Sequence, residues 1–516
     1  MKFIERKDRN QAEFFCIEHA IEQHNDVRTI DLFVNSLKLE DFGFTYNTDN
    51  IINNGRPSYN PADLLKLYIY GYLNRMRSSR ILEKECKRNI EVMWLMKGLA
   101  PDHNTISNFR KDHPTQIRRV FQATVSLAKN FDLIGGKILA GDGTKLRAQN
   151  SKKNNFTHSK IEKHIAYIDA KLEEHEGLLK DADEKSKKEI ETKIKTYQKN
   201  KTKYEDFKEE LDRTGEVQKS TSDPESRQMI TRNNITEVAY NVQSTVDAEY
   251  NIPIDYKVTN QNDSKAMGGM VRRAKTILKS SDFVAVFDKG YHTGSEFDYA
   301  DKQGVEVLVA IPAVASHAPD IAFDVENFKY DKENDYYTCP QGSLLTTNQR
   351  WYTKRSGKYS VQIKHYKTKD CLSCPAFSKC TKNKDGRLIE RSQYADLIAK
   401  NKLRMDKYRE VYRKRQAIVE HPFGIMKRQW GFYYIMTKKT IKSASADVGL
   451  VFTAFNLRRI FNIVNKNELK KYLKGLDFLF LVLRSNFKSL QRIIFEEIYR
   501  DNFKINRIKI IFRVYI

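Results

Sequence analysis

The period of the apolar positions changes several times along the chain, and each change marks an element. After Pro61, the residues Leu64, Leu65, Leu67, Tyr68 and Tyr72 recur at helical spacing. The proline suits a first helical turn, where its missing N–H costs nothing. A second helix is expected from Ser79. Trp94, Leu95, Met96 and Leu99 precede Pro101, after which Asn104 is placed to cap a short basic helix through Arg110. Residues 1–130 read as an all-α domain; short helices with tight turns suit a helix-turn-helix module and an ordinary bundle equally. Residues 137–142 (KILAGD) then turn β-like. From 158 to 213, Ile161, Ile165, Ile168, Leu172 and Leu179, then Ile190, Ile194, Tyr197, Tyr204 and Leu211, keep heptad-like spacing in a dense charged background. This pattern predicts two antiparallel helices with solvated faces. Strands are expected over 238–247 and 252–259, joined as a hairpin, and a helix over 264–278. Two buried strands follow, 283–287 and 305–311, the second stopped by Pro312. The sum is α/β: a mixed sheet with flanking helices, interrupted by insertions and preceded by an all-α domain.

Composition narrows the partners. The 516 residues predict about three domains. Lys+Arg 91 against Asp+Glu 66 leaves a net charge of +25, the signature of a chain that seeks a polyanion, nucleic acid first. With 40% hydrophobic and 11% aromatic residues there is enough apolar surface for cores, which excludes wholesale disorder. The N-terminus MKFIERKDRNQAEFF carries charges where a secretory signal needs an apolar run, and no stretch reaches the ~18 apolar residues of a membrane span. Six cysteines in such a chain argue for a reducing cytoplasm, and for metal rather than disulfides if they act together.

Asp142 and Asp288 each close an apolar strand, where a buried carboxylate needs a cation or hydrogen bonds. Each also has a plain alternative as a turn residue beside glycine, in Gly141-Asp142-Gly143 and Asp288-Lys289-Gly290. In the helix-like stretch 408–427, Arg413, Glu420 and Lys427 stand seven residues apart, so on one continuous helix they share a face. A carboxylate flanked by cations suits a metal with phosphate-gripping neighbours; a surface ion ladder has the same spacing.

Taken in order, these segments resemble the DDE transposases of bacterial insertion sequences, in particular the InsH-type group. Gly55-Arg56-Pro57 and 101–110 resemble its helical front. GDGTK at 141–145 and DKGYH at 288–292 resemble its two aspartate motifs, with SDPESR at 222–227 and AYNVQSTVD at 239–247 as middle strands. VEHPFGIMKRQWGF at 419–432 and TAFNLRRIF at 453–461 resemble its glutamate helix and the helix after it. The resemblance covers roughly 50–465 and implies a ribonuclease-H-like catalytic core. It also implies a metal-binding triad Asp142, Asp288 and Glu420 holding Mg²⁺ or Mn²⁺, two ions in all, and an oligomer that cuts paired element ends. Tyr412 and Arg415 lie one residue upstream of the usual pattern of a related group, so Lys427, Arg428, Arg413 and Arg110 are the expected DNA contacts.

Some 130 residues separate Asp288 from Glu420, too many for one strand and one helix, so an insertion follows Pro312. It holds Cys339, Cys371, Cys374 and Cys380, a candidate structural Zn²⁺ set, with reduced unliganded thiols as the alternative. Cys16 and Cys86 are expected as buried apolar residues. His292 and His421 are expected in local hydrogen bonds or DNA contact, and Trp430 and Tyr433 in core packing. The domain expectation is 1–130 helical and DNA-binding; 131–312 first part of the core, with the hairpin insertion 158–213; 313–400 Cys-containing insertion; 401–465 glutamate helix and end of the core; 466–516 basic tail. The functional expectation is a transposase acting on double-stranded DNA by in-line phosphoryl transfer. Its rivals are a catalytically inactive sequence-specific DNA-binding derivative and a non-specific nuclease that releases fragments without joining ends.

Overall fold

The computed structural model describes residues 16–44, 58–180, 183–231, 234–313, 318–356, 359–437 and 439–476. The Gly55-Arg56-Pro57 motif and the tail beyond 476 lie outside them. The helical front comprises α1 (Asp26–Asn35), α2 (Pro61–Leu73), α3 (Ser79–Arg88), α4 (Ile90–Leu95), α5 (His103–Asp112) and α6 (Pro114–Asn130). Then come β1 (Ile138–Arg147), β2 (Asn155–Thr157), the hairpin α7 (His158–Lys180) and α8 (Glu184–Thr214), and β3 (Gln218–Ser220). The sheet continues with β4 (Arg227–Ile230), β5 (Thr236–Asp247), β6 (Ile252–Thr259), α9 (Met267–Leu278), β7 (Val284–Phe287), α10 (Gly294–Lys302) and β8 (Glu306–Val309). A second sheet holds β9 (Lys329–Asp331), β10 (Tyr336–Thr338), β11 (Leu344–Thr347), β12 (Tyr352–Ser356), β13 (Tyr359–Lys367) and, after α11 (Phe377–Cys380), β14 (Ile389–Ser392). The described chain then runs through α12 (Ala395–Lys407), α13 (Arg409–Arg413), α14 (Arg415–Gly424) and α15 (Ile441–Ile463), with 466–476 helical again.

Two compact units result: the described parts of 1–124 and 446–516, and those of 125–445. In the first, Asn60 caps α2 through Ala62 N, and Leu65, Leu67, Tyr68 and Tyr72 are buried. The cap of α5 is Asp102, whose carboxylate accepts from Asn104 N (2.8 Å) and Thr105 N (3.1 Å). Asp102 rather than Asn104 therefore starts that helix, because the carboxylate two residues earlier reaches both free N–H groups. Most of α15, expected at the end of the catalytic core, belongs to this first unit.

The main sheet of the second unit has the order β4/β6–β5–β1–β7–β8, with β4 and β6 pairing successive stretches of one edge of β5. β1 runs antiparallel to β5 and parallel to β7, which is parallel to β8: four antiparallel strands, β4 and β6 sharing one edge, then two parallel ones. This is the mixed α/β order expected of a ribonuclease-H-like core. On one face Ala140, Val246, Val286 and Leu308 pack under Ile418 and Val419 of α14. On the edge strand, Asn401 of α12 donates to Val309 O (2.9 Å) and accepts from Val309 N (3.0 Å), completing backbone bonds that no further strand offers. The hairpin insertion closes on Phe156, Ile161 and Leu211, with Tyr204 and Phe207 against them.

Candidate functional site

The register of the sheet places the two aspartates. Ala140 pairs with Val286 across the parallel strands β1 and β7, so Asp142, in the middle of β1, and Asp288, just past the end of β7, each two residues further on, are brought next to one another. Alternation puts Asp142 on the face that α14 covers. Its carboxylate accepts from Gly143 N (2.7 Å) and from Arg415 Nη1 (3.5 Å). Burial pushes its pKa up to about 6; Arg415 pulls against this, while Asp288 and Asp263 add to it. Asp288 caps a short 3₁₀ turn, Lys289–Tyr291, by accepting from Gly290 N (2.8 Å). Asp288 thus holds the turn role that the sequence offered, and does so within the electrostatic reach of Asp142.

The glycines beside Asp142 serve the opposite face. A Cβ on Gly141 would sit 2.0 Å from the Phe287 ring, and one on Gly143 would sit 2.4 Å from Asp263 Oδ1. Asp263 gathers a polar network there: Lys145 Nζ (2.8 Å), Asn241 Nδ2 (2.8 Å) and Gln243 Nε2 (2.6 Å) all donate to it. Burial raises the Asp263 pKa, but Lys145 and these amides outweigh it and hold the group below the usual carboxylate value. The Tyr291 hydroxyl, fully buried, donates to Gln243 Oε1 and so ties the Asp288 turn to β5. Sequence reasoning missed this network. Its signal was two amides at alternate positions, Asn241 and Gln243, in an otherwise apolar strand.

The helical segment departs from the continuous helix expected. It breaks at Lys414 between α13 and α14 and passes into a π-turn at Ile425–Gln429. Arg413, Glu420 and Lys427 therefore do not lie on one unbroken helical face. Arg415 reaches Asp142, and Tyr412 lies within the fields of Arg415, Asp288 and Asp142, although both had been set aside on spacing. Glu420 is exposed and accepts from Gln416 Nε2 (2.9 Å). Lys427 donates to Thr144 Oγ1 (3.0 Å) and Lys145 O (3.3 Å), next to Asp142 on β1. Arg413 is exposed beside Glu410 (2.5 Å) and Arg428 is exposed. Among the described residues no three His, Cys, Asp or Glu side chains stand in a metal-ligand arrangement, so Asp142 and Asp288 are brought together and Glu420 is not yet with them.

Arg110 needs a different role from the DNA contact expected of it. It is buried in the first unit, donating to the Tyr72 hydroxyl (2.9 Å), Arg77 O (3.2 Å) and Asp447 Oδ1 (3.3 Å). A guanidinium enclosed with its counter-charge is withheld from phosphate. Trp430 is buried against Phe432, and Tyr433 is half exposed. His292 packs edge-on to Phe297, its Nε2 buried without a hydrogen-bond partner. Cys16 is exposed, against expectation, and Cys86 is buried.

A carboxylate pair of this kind is a hard oxygen site. Burial first, and after it the charges of Asp288 and Asp263, hold the Asp142 carboxyl above its usual value; a divalent cation bound there would offset both, so the two carboxylates fit Mg²⁺ or Mn²⁺. No helix among the described residues is long and apolar enough to cross a membrane.

Comparison with known proteins gives matches at both ends of the chain, outside the stretch that holds Asp142 and Asp288. The family described as Transposase domain (DUF772) matches residues 15–112, and the family described as Transposase DDE domain matches 338–461, a span that includes Glu420. A comparison with curated proteins gave no match. Among solved structures, the chain is similar to the piggyBac transposase synaptic complex with hairpin DNA, at 9% identity over 94% of this chain and 86% of that one. The TM-score of 0.31 is too low for that likeness to carry any argument. A transposase domain at its front and a Transposase DDE domain behind it together indicate a DDE transposase of the insertion-sequence type.

Proposed function

We propose that the protein binds the ends of its own insertion sequence and carries out metal-dependent cleavage and strand transfer there, with Asp142, Asp288 and Glu420 as the acidic triad. The observation that carries the reading is the register of β1 and β7, which sets Asp142 beside Asp288 under the helix that bears Glu420. Glu420, exposed on α14, is the third acidic residue of this reading. Bound divalent cations supply charge neutralisation and stabilise the attacking and leaving oxygens of a phosphodiester. The chain's own residues do the rest. Asp142 and Asp288 hold the negative field at a fixed separation, and Arg415 keeps Asp142 ionisable. Lys427, held on Thr144, offers its ammonium to a phosphate beside the aspartates. Water is the nucleophile of the first cut, with the 3′-oxygen as leaving group; the freed 3′-hydroxyl then attacks a target phosphodiester. Both are in-line displacements that need positioning more than a protein nucleophile. The net charge of +25 and the exposed Arg413 and Arg428 support double-stranded DNA as partner, and paired ends call for an oligomer.

The test is cleavage of inverted repeats flanking the gene, with Mg²⁺ or Mn²⁺, by wild type, Asp142→Asn, Asp288→Asn and Glu420→Gln. Cutting and joining by wild type alone is the expected result. Specific binding without cutting, under both metals and with paired ends, would make the protein a DNA-binding derivative. Fragments that never join would make it a nuclease, and wild-type cutting by Glu420→Gln would remove Glu420 from the triad.

A further inference from the structure

The main sheet leaves the Cys-containing insertion without a role, and the insertion holds the one cluster of nucleophilic side chains outside the aspartate site that converges from separate elements among the described residues. Cys339 opens the turn between β10 and β11. Its N–H donates to Ser343 O (2.9 Å), and its carbonyl accepts from Gly342 N (2.8 Å), with Gly342 at φ +86°. Cys371 and Cys374 sit in a 3₁₀ turn closed by Cys374 N on Cys371 O (3.3 Å), and Cys380 ends α11. Cys339 stands 32 positions before Cys371, yet all four cysteines line a single cavity of about 30 Å³. None forms a disulfide.

From this convergence we infer that Cys339, Cys371, Cys374 and Cys380 form a structural Zn²⁺ site that ties the second sheet to the loops beside it. The cavity is the size of one small occupant, and its remaining walls include Phe323, Phe328, Leu345 and Phe377. Water needs two to four polar partners, and thiols are weak ones, whereas four thiolates are a complete tetrahedral zinc set. The four side chains do not already stand in ligand geometry, but a change of staggered rotamer re-aims a thiol sulfur with the backbone fixed. Electrostatics agree. A zinc held by four thiolates carries a net charge of −2, and Arg387 lines the same cavity, 7% exposed, with its Nε buried and unpartnered.

The placement also gives the ion a mechanical purpose. Cys339 and Cys380 pack on the small core of the second sheet, around Phe328, Tyr337, Leu345, Tyr366 and Ile389. Cys374 and Cys380 pack on a separate cluster of Ala318, Phe323 and Ala376. Neither is large, and small cores of this kind are commonly stapled by a metal.

The full-length protein, stripped with chelator and reloaded with Zn²⁺, is expected to hold about one zinc per chain. Co²⁺ in its place should give intense thiolate-to-metal charge-transfer bands and tetrahedral d–d bands. Cys371→Ser with Cys374→Ser should lose both signals, and Cys16→Ser with Cys86→Ser should keep them. Asp142→Asn should also keep them, which separates this site from the acidic one. Failure of wild type to take up zinc, a Co²⁺ spectrum without thiolate bands, or undiminished zinc in the Cys371/Cys374 double variant would each overturn the inference. The Co²⁺ spectrum of wild type stands whether or not the serine variants fold.

Discussion

Replacing Asp142 with Asn removes a charge that the fold pays to keep, so the variant should be more stable than wild type at neutral pH. The folded protein holds this carboxyl at about 6 against an ordinary 3.8. At about 1.4 kcal/mol per pH unit, that gap corresponds to about 3 kcal/mol. Because the folded-state value is the higher one, the folded protein retains a proton that the unfolded chain releases, and stability falls as pH rises from about 4 to 6. Asn mimics the protonated form at every pH. Its gain should therefore be about 3 kcal/mol at pH 7.5 and shrink to about 1 kcal/mol at pH 4.5. Urea denaturation without metal, at both pH values, reads this directly. Adding Mg²⁺ at 100 times its dissociation constant should stabilise wild type by about 2.7 kcal/mol and the variant by much less. A variant that is less stable than wild type at pH 7.5, or whose gain is the same at both pH values, would refute the account of a cation-seeking carboxylate.

Arg110→Met should destabilise the first unit by about 3 kcal/mol, since Asp447 stays buried with one cation fewer, and should leave the salt dependence of DNA binding unchanged. Tyr291→Phe, which leaves Gln243 Oε1 without its donor, should cost about 1–3 kcal/mol and slow cleavage more than it weakens binding, as judged by single-turnover rates against binding isotherms. Arg428→Ala should weaken binding to all sequences alike and make the plot of log affinity against log salt shallower by about 1. Lys427→Ala should lower the rate of cleavage on saturating DNA; an unchanged rate would take Lys427 away from the reacting phosphate.

The element pattern was legible in the sequence because periodicity is a local property. The hairpin at α7 and α8, the strands β1, β5, β6, β7 and β8, and the helix opened by Pro61 lie where the apolar spacing placed them, within a few residues at their ends. Asp142 and Asp288 could be singled out for the same reason: each is a carboxylate where an apolar run stops.

What the tertiary structure decided were the pairings that join residues far apart in the chain. Arg110 meets Asp447 across more than three hundred positions, and no local pattern distinguishes a cation facing phosphate from one buried with a partner. The contact of Arg415 with Asp142 depends on how α14 settles over Ala140 and Val286, which the spacing within 408–427 does not give. The sequence grouped Cys339, Cys371, Cys374 and Cys380 as one candidate set, but only the folding of β10, β11 and α11 places them around one cavity. Sequence fixes what each segment buries, because burial follows from side-chain polarity along a local repeat. Which charges, amides and thiols then face one another is set by the packing of segments, since those contacts form only once the cores have closed.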